Sequence, residues 1–565
     1  PPASGRGAVG FSAYNVTLQK LTNTGNVPGA SLSPDGRFVV FTTTDEENRV
    51  ALCLRRVGNK ESIQLVPPTP DGIWSFTVSH DNSWIFYVQS DRNEPTRSGT
   101  IFRLPILGGT PRKLTVKVDS DVTLSPDDRR MVFDRFKASG EFDLVMANAT
   151  DGSDERVIAT SKANSAKEFL HPQWSPDGTK ILFFNIEERA DGQYWSLAEM
   201  GAEGGTSKLV LQPRRQKIWF MAWADDGNGI VLNASDPVTN LPQLYYVSYP
   251  GGETQRISND VFYYNGVSVG GDSVVTTQLD RPTNIWVTPG ADVRQARQVT
   301  IGGVFLDSLT WTPDGRIVYD AWDDGKRHLW MMDGDGQHRQ QLSPEPVEDR
   351  MPNVSRDGKH ISFLSNRSGA WALWLMDIDG RNPRQLTMGV KGVWLPRFAP
   401  DGQSVFFEME QGAKTILARI PIDGGDAMEV VTDVSVDLYD ISPDGRQVAY
   451  SFLDDQLKPV RVVVRPIEGD GPVTYFDFAP GRFLLWTLDG RGLAYERAEP
   501  RHNMGSVICV QPLTGGPPKQ LDNFYPDTIY SAEWSRDGSQ LAFVRGRLSS
   551  DLVLLTRSNT AMNPR

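Results

Sequence analysis

Cysteine is nearly missing from this chain of 565 residues: Cys53 and Cys509 are the two present, far apart and in no C-x-x-C spacing. That excludes a disulfide framework and a cysteine-built zinc site. Histidine is also sparse, with His80, His171, His328, His338, His360 and His502 scattered along the chain and no H-E-x-x-H pair. His328, His338 and His360 fall near strand ends or turns, so surface or capping roles are expected of them, not metal ligation. No apolar run reaches the roughly 18 to 20 residues that span a bilayer. Basic charge is in deficit: the formal net charge is −12 and the pI near 5.2, which argues against a nucleic-acid backbone or an anionic membrane surface as the main partner. The first residue is Pro1, with no Met or signal h-region before it, so the chain reads as a mature or excised piece.

What the sequence does have is glycine (52) and proline (38) without a long helical pattern. Such a turn-rich composition points to an all-β protein, and the length to several domains. The stretch from Val354 to Thr387 shows the unit. Ser355-Arg356-Asp357-Gly358 is a tight turn in which Asp bonds the backbone ahead of it and Gly takes a positive φ. Ile361 and Phe363 alternate with Ser362 as in a strand. Ala372 to Met376 is apolar throughout, as in a strand covered on both faces. Asp377 to Gly380 turns again, and Arg384-Gln385-Leu386-Thr387 is a short last strand. This is an antiparallel meander of about four strands, which must stack on copies of itself to bury both faces.

The copies are present. The turn recurs at Asp35, Asp81, Asp127, Asp177, Asp226, Gly270, Asp314, Asp357, Asp401, Asp444, Asp489 and Asp537, at intervals of 43 to 50 residues. Three residues before each anchor the side chain is always apolar, and six after it, or five in the shortened unit at Asp314, ten of the twelve are aromatic. That period is the period of a four-stranded propeller blade. One ring of twelve blades is too many, since propellers typically have four to eight. Fourth-strand pieces at Leu18 to Thr22 and Arg297 to Thr300 precede any blade of their own, and Asp551 to Leu555 is a third strand with no fourth after it. The expected architecture is therefore two tandem six-bladed β-propellers, residues 16–290 and 295–559, each closed by its own N-terminal strand. Residues 1–15 read as a tether, on which Phe11 and Tyr14 are candidates to pack onto the first ring. Residues 560–565 read as a tail.

The units resemble the TolB-like (PD40/WD-type) propeller repeat, whose Trp-Ser-Pro-Asp-Gly turn is matched by Trp174 to Gly178 and, with Thr312 for Ser, by Trp311 to Gly315. Asp377 to Gly380 and Arg384 to Thr387 match its Asp-x-Asp-Gly and Arg-x-Leu-Thr pieces. Two such rings, with Leu21 to Gly25 opening and Leu107 to Leu114 within the first, resemble the extracytoplasmic C-terminal part of bacterial transmembrane serine/threonine kinases. Similar rings also follow winged-helix regulators. The resemblance implies a periplasmic or extracytoplasmic signalling protein in which this chain is the receiving part, possessing neither a His-Arg-Asp nor an Asp-Phe-Gly kinase motif of its own.

No catalytic residues, cofactor or metal are expected. The acidic turns Asp333 to Gly336 and Asp377 to Gly380 lack the later ligands of a calcium loop and read as turns. With rings filling the chain there is no room for an α/β-hydrolase domain. Recognition is expected on the rim carrying the longer connections, Gln89 to Gly99, Ile186 to Gly192 and Asn233 to Pro242. Seven residues before each anchor lies the mouth of the channel on that rim. In the second ring these positions are Asp307, Arg350, Trp394, Asp437, Arg482 and Tyr530, and in the first Pro28, Trp74, Ser120, Leu170, Trp219 and Tyr263. The charged ones either bind a polar ligand or form salt bridges that close the ring. Three functions fit: a non-catalytic sensor or interaction scaffold binding a peptide, glycan or envelope protein; a channel-mouth metal-dependent hydrolase or lactonase using carboxylates such as Asp307 and Asp437; and a TolB-like envelope complex subunit, without TolB's α/β domain.

Overall fold

The computed structural model describes residues 11, 16–90, 98–137, 141–161, 167–189, 192–224, 227–236, 241–258, 260, 262–290, 292–301, 306–323, 326–343, 347–412, 414–453, 459–498, 505–524 and 526–557. Most of the expected tether, including Tyr14, the 560–565 tail, His502 and parts of the three long connections lie outside them. The described residues form twelve four-stranded antiparallel sheets and a single short 3-10 turn, Val293–Gln295.

The eighth sheet shows how the repeat folds. Its strands are Asp349–Val354, His360–Ser365, Ala372–Asp377 and Arg384–Gln385, the meander expected from Val354 to Thr387. In the turn after the first strand, Asp357 Oδ1 accepts from Ser355 Oγ (2.7 Å) and from the Lys359 N–H (3.1 Å). The Ser355 hydroxyl in turn accepts from the His360 N–H at 3.0 Å. Gly358 sits at φ +72°, where a Cβ would meet the Pro313 ring at 3.0 Å. The same Ser or Thr to Asp bond recurs at Asp35, Asp81, Asp127, Asp177, Asp314, Asp444, Asp489 and Asp537.

The chain divides into two compact units, residues 1–280 with 549–565, and residues 281–548. In the first unit, apolar clusters join neighbouring sheets in sequence order. The last cluster joins Val275, Leu552 and Leu554 of the sixth sheet back to Val39, Phe41 and Cys53 of the first. Phe11 adds to the cluster between the fifth and sixth sheets, beside Tyr264 and Val553. The second unit repeats the pattern, and its closing cluster sets Ile285, Val287 and Val544 against Trp311, Ile317 and Tyr319. The apolar and aromatic positions that flank each anchor are the core of these clusters, with Phe133, Phe183, Phe363 and Phe543 all fully buried.

One expectation is corrected. The sixth sheet takes its first two strands from Tyr263–Gly270 and Ser273–Asp280 and its fourth from Val16–Lys20, but its third is the C-terminal strand Ser549–Arg557. The twelfth sheet takes Thr528–Trp534 and Gln540–Gly546, then Thr283–Pro289 and Arg297–Gln298. Each N-terminal piece does supply a fourth strand, yet the two third strands are exchanged. The boundaries therefore fall at 280/281 and 548/549, not near 290. The physical reason lies in the two links. Arg281-Pro282 and Arg547-Leu548 stand where a hairpin would need to reverse the chain, and two-residue hairpin turns demand a positive φ. Proline is fixed near −65° and neither Arg nor Leu favours the left-handed region, so the chain runs on into the other unit.

Candidate ligand-binding mouths of the two units

The innermost strand of most sheets contains a β-bulge beside the position seven before the anchor. Register slips flank Trp74, Trp219, Asp437 and Tyr530, each left without an opposite partner. In three other sheets the slip brings His171, Met351 and Leu395 to φ of +51°, +54° and +45°. A bulge re-aims side chains and frees backbone groups from the ladder. In several sheets a buried polar residue seven after the anchor, or six after it in the shortened unit at Asp314, captures some of those groups. Asp320, fully buried, accepts from the N–H groups of Asp307 (3.1 Å), Ser308 (3.0 Å) and Met351 (3.1 Å). Glu496 accepts from the Arg482 N–H at 3.0 Å, and Asn233 donates to the Tyr264 carbonyl at 2.9 Å. Sequence reading passed over this position because it lies next to the conspicuous aromatic.

Asp134 and Glu408 occupy the same position and differ: one carboxyl oxygen of each has no hydrogen-bond partner among the described residues. Burial, with Asp119 nearby, pushes Asp134 up to about 7. Burial together with Asp437 raises Glu408 well above the usual carboxylate range, and burial raises Asp437 as well.

In the second unit the sequence-predicted mouth residues fall into two groups. Asp307 is held by Arg281 (Nη2 to Oδ1 2.5 Å) and by Arg327. The Arg281 and Arg482 guanidiniums lie 4.5 and 4.8 Å from the Tyr530 ring centre. Arg350 lies over two indoles, 3.7 Å from Trp371 and 4.4 Å from Trp394. Asp437 stands apart from this arc beside Glu408, with the Ser451 hydroxyl 3.4 Å from its Oδ2. Arg281, Arg327 and Trp371, which sequence reasoning did not single out, complete the arc. The same unit has a cavity of about 350 Å³ lined by Asn353, Arg397, Asp440, Trp486 and Glu533 among others. Arg397 and Glu533 pair there at 3.2 Å.

The first unit has a larger cavity, about 510 Å³, with walls from all six innermost strands. Its lining includes Pro28 and Trp74 as expected, but Phe220 and Asn265 where Trp219 and Tyr263 were expected. The bulge moves the lining position along by one or two residues. No lysine or arginine lines it; Ser31, Ser75, Thr77, Thr123 and Gln173 supply neutral polar groups, and His80 and Asp121 are its titratable ones. Asp121 is tied to His171 (Oδ2 to Nδ1 2.5 Å). That pairing holds the carboxyl below its usual range despite burial and raises the His171 pKa in spite of the opposing effect of burial. The His171 ring stacks on Phe184 with 5.0 Å between centres. Trp74 is 40% exposed.

Both oxygens of Asp307 are engaged by guanidiniums, so they are not open for a metal, and no group of three or more potential ligands occurs among the described residues. Gly266-Val267-Ser268-Val269-Gly270 carries the letters of a nucleophile elbow. It is strand here, and Ser268 Oγ accepts from the Leu32 N–H at 3.0 Å, so the strained strand-to-helix turn that motif needs is absent. His328, expected near the surface, is fully buried in the strand Lys326–Asp333. His338 and His360 sit at turns beside Asp333 (2.6 Å) and Asp377 (3.6 Å).

Twelve four-stranded meanders, stacked face to face through apolar clusters, define a β-propeller protein. No protein-family model matches the chain. Among solved structures it is similar to TolB from Acinetobacter baumannii, at 14% identity over 66% of this chain and 82% of that one, with a TM-score of 0.35. It is also similar to a putative TolB from Agrobacterium tumefaciens (16%, 60% and 94%, TM-score 0.29). A third is the β-propeller domain of the Trilobed protease from Pyrococcus furiosus (13%, 64% and 98%, TM-score 0.31). Among the described residues no helix is long and apolar enough to cross a membrane.

Proposed function

We propose that the protein is a non-catalytic interaction scaffold, in which each unit acts as a six-bladed ring and presents its channel mouth to a ligand, and that it serves outside the cytoplasm as the receiving part of a signalling protein. The observation that carries the reading is the first unit's cavity. It has the volume of a small-molecule or peptide side-chain site, and its walls come from all six innermost strands and carry hydroxyl, amide and aromatic groups without a lysine or arginine. Such a wall suits a neutral polar ligand, a peptide segment or a glycan, with the half-exposed Trp74 as a stacking platform. A metal-dependent hydrolase built on Asp307 is disfavoured because two arginines already neutralise it.

The test is a screen of the full chain against arrays of neutral peptides and oligosaccharides, repeated with Trp74→Ala. Hits on the wild type that weaken at least about ten-fold in the variant support the reading, since aromatic anchors often contribute that much. Hits that are indifferent to Trp74→Ala and to Gln173→Ala move recognition away from this cavity. Stoichiometric metal and hydrolysis of a lactone panel by the purified protein would overturn the non-catalytic assignment.

A further inference from the structure

Of the four arginines in the second unit's arc, two are ion-paired and two are not, although Glu496 lies near Arg482 and accepts from its backbone N–H. Asp307 and Asp320 face Arg281 and Arg327. Arg350 and Arg482 have no hydrogen bond or ion pair to their guanidiniums among the described residues, and Arg350 Nε is buried without a partner. Glu348 is the acid whose charge acts most on Arg350, without an ion pair between them, and burial pushes its own pKa up, away from the charged form. Burial and the like charge of Arg327 press Arg350 down to about 10. A guanidinium costs free energy when it is desolvated and left unpaired. The Trp371 and Trp394 rings lie against it, and its planar fork of N–H donors is suited to a carboxylate partner. Trp394 is itself 38% exposed, so the guanidinium stands beside open aromatic surface.

We propose that this mouth binds a carboxylate-bearing ligand, an acidic peptide, whose carboxylates pair with Arg350 and Arg482 while its backbone lies on Trp394 and Tyr530. The planar, singly charged carboxylate matches one guanidinium fork at a time. A dianionic phosphate would add a second negative charge next to Asp307, Asp320 and Glu348 in a protein of net charge −12. The inference concerns a different site from the cavity of the first unit and does not depend on it.

The experiment is fluorescence anisotropy of the full chain with a fluorescein-labelled tetraglutamate peptide, with the tetraglutamine peptide as comparison. Tight binding of the glutamate peptide, weakening with added salt, is expected. Arg350→Gln should weaken it about ten-fold or more, the usual effect of removing one partner of a charged contact, and Arg350→Lys should fail to restore it. Arg482→Gln, at an exposed position that leaves the fold intact, should weaken it several-fold. Trp74→Ala should leave it unchanged, which separates this site from the first unit's cavity. Equal binding of the two peptides, or no loss in Arg482→Gln and Arg350→Gln proteins that melt like the wild type, would overturn the proposal. Competition by inorganic phosphate that is stronger than by glutarate would overturn the choice of carboxylate.

Discussion

Removing the last strand should unfold the first unit and spare the second. A truncation after Arg547 deletes Ser549–Arg557, which pairs with Ser273–Asp280 along its whole length and with Val16–Lys20 on its other edge. Leu552, Val553, Leu554 and Leu555 are at most 4% exposed. At about 1.5 to 3 kcal/mol for each buried aliphatic side chain, their loss amounts to roughly 6 to 12 kcal/mol. Asp551 goes as well, and with it the acceptor for Thr22 Oγ1 (2.9 Å) and the Gly25 N–H (3.1 Å). The total stability of a domain is typically about 5 to 15 kcal/mol, so the loss is comparable with the whole. Residues 281–548, by contrast, contain every strand of their six sheets. Calorimetry should show that the truncated chain keeps one transition of two, and limited proteolysis should leave a protected fragment bounded near Arg281 and Leu548. Expressed alone, residues 281–548 should fold and residues 16–290 should not. A truncated chain that keeps both transitions, or a stable 16–290 fragment, would refute the strand exchange.

Two further perturbations probe the mouths. Asp307→Asn should lower the second unit's melting temperature, because Arg281 and Arg327 are left partly buried without their shared partner, a loss of about 2 to 4 kcal/mol; thermal melts alongside Asp314→Asn, an exposed turn residue, would check it. Asp134 holds its proton up to about 7 in the folded state against an ordinary value near 3.8, so the folded form binds more protons between those values and the first unit should lose stability as pH rises from about 4 to 7, by roughly 4 kcal/mol in all. Asp134→Asn should flatten that slope in urea titrations across the range, and an unchanged slope would show that the carboxyl is charged in the fold.

The sheets were legible in the sequence because two signals agreed at most repeats: a turn whose Asp and Gly have fixed geometric duties, and apolar positions at nearly fixed offsets from it. The mouth was half legible. Counting back seven residues found Asp307, Arg350, Trp394, Arg482 and Tyr530, which the structure gathers into one arc, but it placed Asp437 there too, and in the first unit it chose Trp219 and Tyr263 over Phe220 and Asn265. A bulge shifts the lining by a residue or two, and no composition signal announces it. Arg281 and Arg327 were invisible because they enter from a link and a third strand. The strand exchange did leave a trace, in that Arg281-Pro282 and Arg547-Leu548 carry no Gly, Asn or Asp where the other hairpins have one.

The exchange also sets an order of events during synthesis. When the ribosome has made residues 16–280, the first unit still lacks one strand, and the edge of Ser273–Asp280 stays open as a template for unwanted pairing. That edge must wait while all of residues 281–548 are made, on the order of ten seconds to a minute at typical elongation rates. The second unit is thus an insertion within the first: it completes itself early, and the N-terminal unit finishes last.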